Sequence, residues 1–312
     1  MARKKWLRDI APKWMLNLHD GVYYAYIKAF PKRHAAQIFK EMFGRPIDWN
    51  KPTILSEKGR WIQFKTDTSY WSILADKYKV RDYYCNIGLA DYIPQLYGVW
   101  NKASDIDFKN LPDKFVLKTN HGCGEVVVVH DKSKIDESKI KQLMQQYLVT
   151  QYGVWTAEPH YLKIPPVIIA EELLPNTCPV STTMVDYKIF CSWGKPIFLD
   201  VCYDRNPQTH HAQETWYDID WIKHDEWHTG KYVPKDIPRP SSLEVMYDIC
   251  AKISHNMPLV RIDFYEVENK PFIGELTFTP NGFNPECLTL EAQRMIGDRI
   301  DLTRIPNEML KR

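Results

Sequence analysis

An α+β fold in two lobes, preceded by a helical N-terminal extension, is expected for this 312-residue chain. Three features carry that expectation. The length exceeds what one ordinary core organises. Short β-branched runs gather into hairpins with amphipathic helices set between them, the segregation of an α+β protein rather than a doubly wound sheet. Residues 1–45 are helical in pattern, aromatic and basic, unlike the rest of the chain. The chain divides accordingly into an extension (1–50), a mixed region (51–112), a first lobe (113–174) and a second lobe (175–312).

The mixed region contains a helical stretch near Tyr70–Tyr84 and turn-like Pro94 and Pro112. Phe115–Thr119 and Val126–Val129 are apolar and β-branched, so they predict strands about a glycine loop. Asp136 predicts the cap of a helix whose Ile140, Leu143, Met144, Tyr147 and Leu148 follow helical spacing. Val167–Ala170 predicts a buried strand. One hairpin joins Val185–Cys191 to Ile197–Cys202 across Trp193-Gly194, and another joins Leu259–Tyr265 to Phe272–Phe278. Ser241 and Glu244 predict a capping box before a helix carrying Leu243, Met246, Tyr247, Cys250 and Ile253. A last helix is expected from Asn284-Pro285 to about Gly297.

Composition narrows the function. At 44% hydrophobic and 26% charged residues the chain is that of a folded globular protein. A net charge of +2 gives no global case for nucleic acid. Residues 1–40 hold nine Lys/Arg against Asp9 and Asp20, but charges interrupt the apolar run, so no secretion signal forms. No stretch approaches the roughly 20 apolar residues of a spanning helix. Seven scattered cysteines without zinc spacing predict reduced thiols and a cytoplasmic setting.

The hairpin at 259–278 is the most informative piece. Alternation puts Arg261, Asp263 and Tyr265 on one face of its first strand and Glu275, Thr277 and Thr279 on one face of its second. A turn centred on Asn269 sets Asp263 directly opposite Glu275, with Cβ atoms roughly 4.5–5.5 Å apart. Such a pair repels unless a cation intervenes, and hard oxygen donors suit Mg²⁺ on nucleotide phosphates. The alternative is a solvated face on which Arg261 neutralises both acids.

Three other pieces are individually weak. Lys118 precedes His121-Gly122-Cys123-Gly124, where two glycines would admit phosphate to backbone N–H groups; taken alone, the segment fits a plain hairpin turn with a surface lysine better. Glu171, Glu172, Leu173 and Leu174 end a buried strand beside an apolar wall suited to an adenine edge, or simply end it in solvent. Lys188 and Arg205 could reach a phosphate or lie on the surface. There is no GxSxG elbow and no HExxH. Asp218-Ile219-Asp220 has the spacing of a sugar-nucleotide DxD but is followed by Trp221.

The order of these pieces resembles the ATP-grasp superfamily, and more specifically the TupA-like ATP-grasp family of polysaccharide-biosynthesis proteins. The resemblance runs from about Asn50 to Gly297. It rests on Ala75-Asp76-Lys77-Tyr78 with Val80-Arg81, Leu111–Lys118, Asn120–Gly124, Asp186-Tyr187-Lys188, Tyr217–Trp221, Val260–Asp263 and Gly274–Pro280. It implies a nucleotide held between two α+β lobes. Lys118 and Lys188 would contact phosphates under the 121–124 loop, and Glu171 to Leu174 would frame adenine. Arg205 and Arg261 would steady the transferring phosphoryl group, and Asp263 and Glu275, with Thr277, would hold Mg²⁺. Most ATP-grasp proteins have asparagine where Thr277 stands, and Asn281–Asn284 replaces the further glycines usual in the TupA-like group.

The activity so implied is ATP-dependent joining of an amine or amino acid to a uronic acid of a cell-surface polysaccharide, through an acyl-phosphate. A sugar kinase or a glycosyltransferase of a capsule or O-antigen pathway is the alternative. The loop from Asp204 to Pro240, with His210, His211, Asp218, Asp220 and Trp221, is the candidate acceptor surface. Residues 1–45 are expected either to rest on an anionic membrane face or to line an acceptor groove.

Overall fold

The computed structural model describes residues 13–206, 209, 211–230 and 235–311. Two antiparallel sheets organise them. The first has the order β1-β4-β2-β3, from β1 (Leu96–Trp100), β2 (Phe115–Thr119), β3 (Val126–Val129) and β4 (Ile168–Glu171). The second has the order β7-β6-β5-β8-β9, from β5 (Asp186–Ser192), β6 (Lys195–Tyr203), β7 (Gln213–Tyr217), β8 (Val260–Val267) and β9 (Lys270–Thr277). The helices are α1 (Lys13–Ala29), α2 (Pro31–Phe43), α3 (Leu55–Lys65), α4 (Trp71–Leu74), α5 (Val80–Asn86), α6 (Glu137–Leu148), α7 (Leu243–Ser254) and α8 (Leu290–Asp298).

In the first lobe β2 and β3 pair without slippage from Phe115↔Val129 to Lys118↔Val126, which leaves the glycine loop at the end of the hairpin. Asp136 caps α6, accepting from the Lys139 N–H at 3.1 Å. Helix α6 turns Met144 and Leu148 onto Phe115, Leu117 and Ile168. In the second lobe the β5–β6 turn is Trp193-Gly194, both residues left-handed, which matches the twist of the strands. Helix α7 covers one face of that sheet with Leu243, Met246, Ile249 and Ile253, and the other face is left for the site. Helices α3, α4 and α5 join the second core: Trp71 stacks on Phe278 with centroids 5.0 Å apart.

Several elements differ from expectation. The Tyr70–Tyr84 stretch is two helices broken at Asp76-Lys77, because Asp76 Oδ1 accepts from the N–H groups of Tyr78 and Lys79 and starts a new cap. Strands β1 and β7 and helix α3 have no clear periodicity to announce them. The capping box before α7 does not form: the Ser242 N–H and hydroxyl donate to Glu266 Oε2 at 2.7 and 2.5 Å, while Glu244 pairs with Arg239. A carboxylate from β8 has displaced the local one. The last helix begins at Leu290 rather than Asn284-Pro285, with the Thr289 hydroxyl accepting from the Ala292 N–H.

The extension is anchored to the body. Tyr24 and Lys28 both donate to Gln151 Oε1, at 3.0 and 2.8 Å, and His34 bonds the Trp155 carbonyl at 2.9 Å. Phe39 packs with Ile47 and Ile54. Arg3, Lys4, Lys5 and Arg8 lie outside the described residues. Among those described, no helix is long and apolar enough to cross a membrane.

Candidate active site

Register across the second sheet brings charged residues of all five strands onto one face. Lys188 of β5 is flanked by Asp263 of β8 and Asp200 of β6, and Asp263 by Glu275 of β9. The neighbouring rows are Tyr265–Asp186–Cys202–Glu214 and Thr277–Arg261–Phe190–Phe198, since residues two apart on a strand share a side. The expected opposition of Asp263 and Glu275 is therefore present. It holds because the bulge in this hairpin falls between Asp263 and Phe264, after the site, and takes up the offset of the Glu268-Asn269 turn.

Every oxygen of that carboxylate pair meets a cation. Arg261 Nε and Nη2 donate to Asp263 Oδ1 and Oδ2, each at 2.7 Å, and Lys188 Nζ reaches Oδ2 at 2.8 Å. Arg261 Nη2 lies 3.5 Å from Glu275 Oε1, and Lys77 Nζ lies 3.0 Å from Glu275 Oε2. Thr277 Oγ1 accepts from Arg261 at 3.1 Å and donates to Glu275 at 3.3 Å. Neutralisation by Arg261 is thus realised, but one arginine does not suffice and two lysines complete it. Arg205 is more peripheral, 3.5 Å from Asp186 Oδ2, which also receives Lys188.

Burial would lower the Lys188 ammonium, but Asp186 and Asp263 outweigh it and raise it well above the usual lysine range. Burial would likewise lower Arg261, and Asp263 with Glu275 raises it. For Glu275 burial works upward, and Lys77, Arg261 and Lys188 together hold the carboxyl well below the usual range. A depressed acid stabilises the fold fully above its unfolded pKa, about 4.3, and that stability fades as pH falls toward the folded value. Glu275→Gln is accordingly expected to cost about 1–2 kcal/mol at neutral pH. The melting-temperature gap to wild type should narrow between about pH 4 and pH 2; a gap independent of pH would contradict the pairing.

The glycine loop approaches this face through Lys77, whose Nζ donates to the Gly122 carbonyl at 2.6 Å. Asn120 fixes the approach, its Nδ2 donating to Asp76 Oδ1 at 2.8 Å and to the Pro165 carbonyl at 3.0 Å. A Cβ at 122 would stand 2.1 Å from Glu125 Oε2 and displace that carboxylate, and Gly124 has φ +86°, where a side chain is strained. His121 is buried, its ring held 3.1 Å from the Thr150 carbonyl, whereas Cys123 and Gly124 are exposed at the tip.

On the first sheet Lys118 is ion-paired with Glu171, and Arg81 stands 3.8 Å from the same carboxylate. Lys118, expected on phosphate, and Glu171, expected beside adenine, are therefore direct neighbours. Glu172 is tied at the sheet edge, its N–H donating to the Gln95 carbonyl at 2.9 Å. Leu173 is half-buried and Leu174 buried beyond β4.

Sequence reasoning gave no role to Lys77, Arg81 or Asp186. The Asp76 turn signal was present, but the partners of Lys77 lie far along the chain. In the candidate acceptor loop, Asp218 and Trp221 brace the turn: Asp218 Oδ1 accepts from the N–H groups of Asp220 and Ile222, and Trp221 stacks on Tyr217. His210 lies outside the described residues. His211 and Glu214 do line a cavity of about 490 Å³, together with Trp155, Asn281, Asn284 and Cys287, and Ile38 and Met42 of α2 form another part of its wall.

A glycine loop over one sheet is brought by a lysine onto a carboxylate pair of a second, the arrangement expected of an ATP-grasp enzyme. The chain belongs to the TupA-like ATP-grasp family, whose model matches residues 57–301. No curated protein matches the sequence. Among solved structures it is similar to D-alanine–D-alanine ligase from Bacillus anthracis complexed with ATP (13% identity, 75% of this chain and 67% of that one, TM-score 0.46). It is also similar to the Helicobacter pylori D-alanine–D-alanine ligase (13%, 79% and 69%, 0.45) and to the D-cycloserine synthetase DcsG (12%, 76% and 73%, 0.44). These likenesses are remote, and membership rests on the family match.

Proposed function

We propose that the protein is an ATP-dependent carboxylate–amine ligase of cell-surface polysaccharide biosynthesis, joining an amine or amino acid to a uronic acid. The observation that carries this is the convergence of Lys77, Lys188 and Arg261 on Asp263 and Glu275, with Arg205 beside the neighbouring Asp186, facing the glycine loop. Such a face is built to hold a polyphosphate and the charge that moves during phosphoryl transfer.

Asp263, Glu275 and Thr277 offer hard oxygen donors on two paired strands, a set that fits Mg²⁺. A bound Mg²⁺ would neutralise phosphate charge there. The cations that now cover the carboxylates are then available to phosphate oxygens: Lys188 and Arg261 from the sheet, Lys77 from beside the loop. Lys118, on the first sheet beside Glu171, would contact phosphate from the other side. Glu171 to Leu174 would frame the base.

The substrate carboxylate oxygen attacks the γ-phosphorus, the bond to the β-phosphate oxygen breaks, and ADP leaves. The amine nitrogen then attacks the acyl carbon, inorganic phosphate departs, and the nitrogen loses its proton. No enzyme nucleophile is required, and positioning supplies the rate. The cavity beside Trp155 and Asn284 would admit the acceptor, with α2 of the extension as part of its wall. Contact of residues 1–45 with an anionic membrane surface would bring a lipid-linked glycan to it.

Hydroxylamine tests the reading, because it intercepts acyl-phosphates. The enzyme with ATP and its uronic acid should yield a hydroxamate without the natural amine. A stable phosphate ester, with ADP release indifferent to every amine, would overturn the ligase in favour of a sugar kinase and leave the nucleotide site standing.

A further inference from the structure

The far end of the charged face differs from the rest. Asp186, Asp263 and Glu275 are each paired with lysine or arginine. Asp200 and Glu214 form no ion pair among the described residues, although Asp200 is 2% exposed. Cys202 lies directly opposite Glu214 and two residues from Asp200, with its thiol on the same side. One ligand atom from each of the three comes within 4.8 Å of the other two. A second thiol, Cys287 Sγ, lies 3.0 Å from Glu214 Oε2. Asp186, across from Cys202, has its Oδ1 buried without a hydrogen-bond partner.

Asp200 and Cys202 are buried and Glu214 is half-buried; ionised groups this close repel, so a proton or a metal ion must separate them. The spacing admits either, since a thiol donating to Asp200 also spans 3.6 Å, and the donor set favours the ion. Tetrahedral zinc, with bonds of about 2.3 Å to sulfur and 2.1 Å to oxygen, sets a sulfur–oxygen edge of about 3.6 Å. Cys202 Sγ stands 3.6 Å from Asp200 Oδ1. A thiolate among carboxylates selects zinc over magnesium. Glu214 and Cys287 also line the 490 Å³ cavity, which supplies an entry path.

We propose that Asp200, Cys202 and Glu214 bind one zinc-class divalent ion, with Cys287 donating to Glu214 and the fourth coordination position open to the cavity. Such a position would take an oxygen or nitrogen donor from the molecule occupying that cavity. The site is separate from Asp263 and Glu275, which offer no sulfur, and it stands whether or not ATP binds.

The test is a Co²⁺ titration of the full-length, metal-stripped, reduced chain. The expected result is one equivalent bound, with thiolate-to-cobalt charge transfer in the near ultraviolet and the visible bands of a tetrahedral ion, both displaced by Zn²⁺. Cys202→Ser should lose the charge-transfer band, and Cys85→Ser, at an exposed position, should keep it. Cys287→Ser should keep the band while binding roughly 10-fold more weakly, the usual loss for a group that orients a ligand. Absence of the band in wild type overturns the proposal whatever the variants do, and leaves protons holding the cluster. Persistence of the band in Cys202→Ser overturns it equally.

Discussion

Asp263→Asn is expected to lower ATP-dependent turnover by about 10³-fold, the largest effect of any single change in this site. Asp263 does two jobs with one carboxylate. It takes both Arg261 contacts and the Lys188 ammonium, and it stands opposite Glu275 where hard donors for Mg²⁺ are needed. At 2% exposure it is also the most enclosed of the paired acids on this face. Asparagine keeps the shape and loses the charge, leaving two buried cations short of a partner at a cost of about 2–4 kcal/mol. Two measurements separate the roles. The melting temperature should fall, and added ATP should recover more of it than in wild type, because phosphate replaces the missing negative charge. Retained turnover in the asparagine variant, or unimpaired wild-type turnover in EDTA, would remove the metal assignment.

Lys77→Met is expected to reduce kcat/KM for ATP by about 10²-fold. The residue lies in neither sheet, yet its ammonium holds the Gly122 carbonyl and the Glu275 carboxylate at once. Burial alone would lower it, and Glu275 raises it instead, so it remains a cation across the working pH range. Methionine fills the same space without the charge and releases the glycine loop from the second lobe. Limited proteolysis at residues 121–124 should therefore accelerate in the variant, and Lys77→Arg should restore part of the activity. An unchanged loop with unchanged kinetics would reduce Lys77 to a surface contact.

Much of this site is legible in the sequence, for reasons of periodicity. Alternation along two strands puts both carboxylates on one face, but the turn is Glu268-Asn269 rather than centred on Asn269, and a bulge after Asp263 that the pattern does not announce restores Asp263 opposite Glu275. The glycine loop is legible too, since β2 and β3 are apolar runs that flank two glycines. The order of these motifs along the chain also carries the family, because motif order survives changes in the packing around it.

What sequence could not supply is the set of partners. The Lys118–Glu171 pair, the Lys77 bridge and the capping of Ser242 by Glu266 each join residues many positions apart. Each is chosen by which buried charge lies nearest once the sheets have formed. Helix α3 and strands β1 and β7 escape sequence reasoning for a related reason: their patterns are weak alone, and packing against a neighbouring element decides them. By itself the sequence determined the hairpins, the shared face of their carboxylates and the family. The tertiary structure decided which cation neutralises which acid, and among the described residues it left Asp200 and Glu214 without one. Local periodicity encodes the direction of a side chain, whereas pairing in a low-dielectric interior depends on distances that only the assembled lobes define.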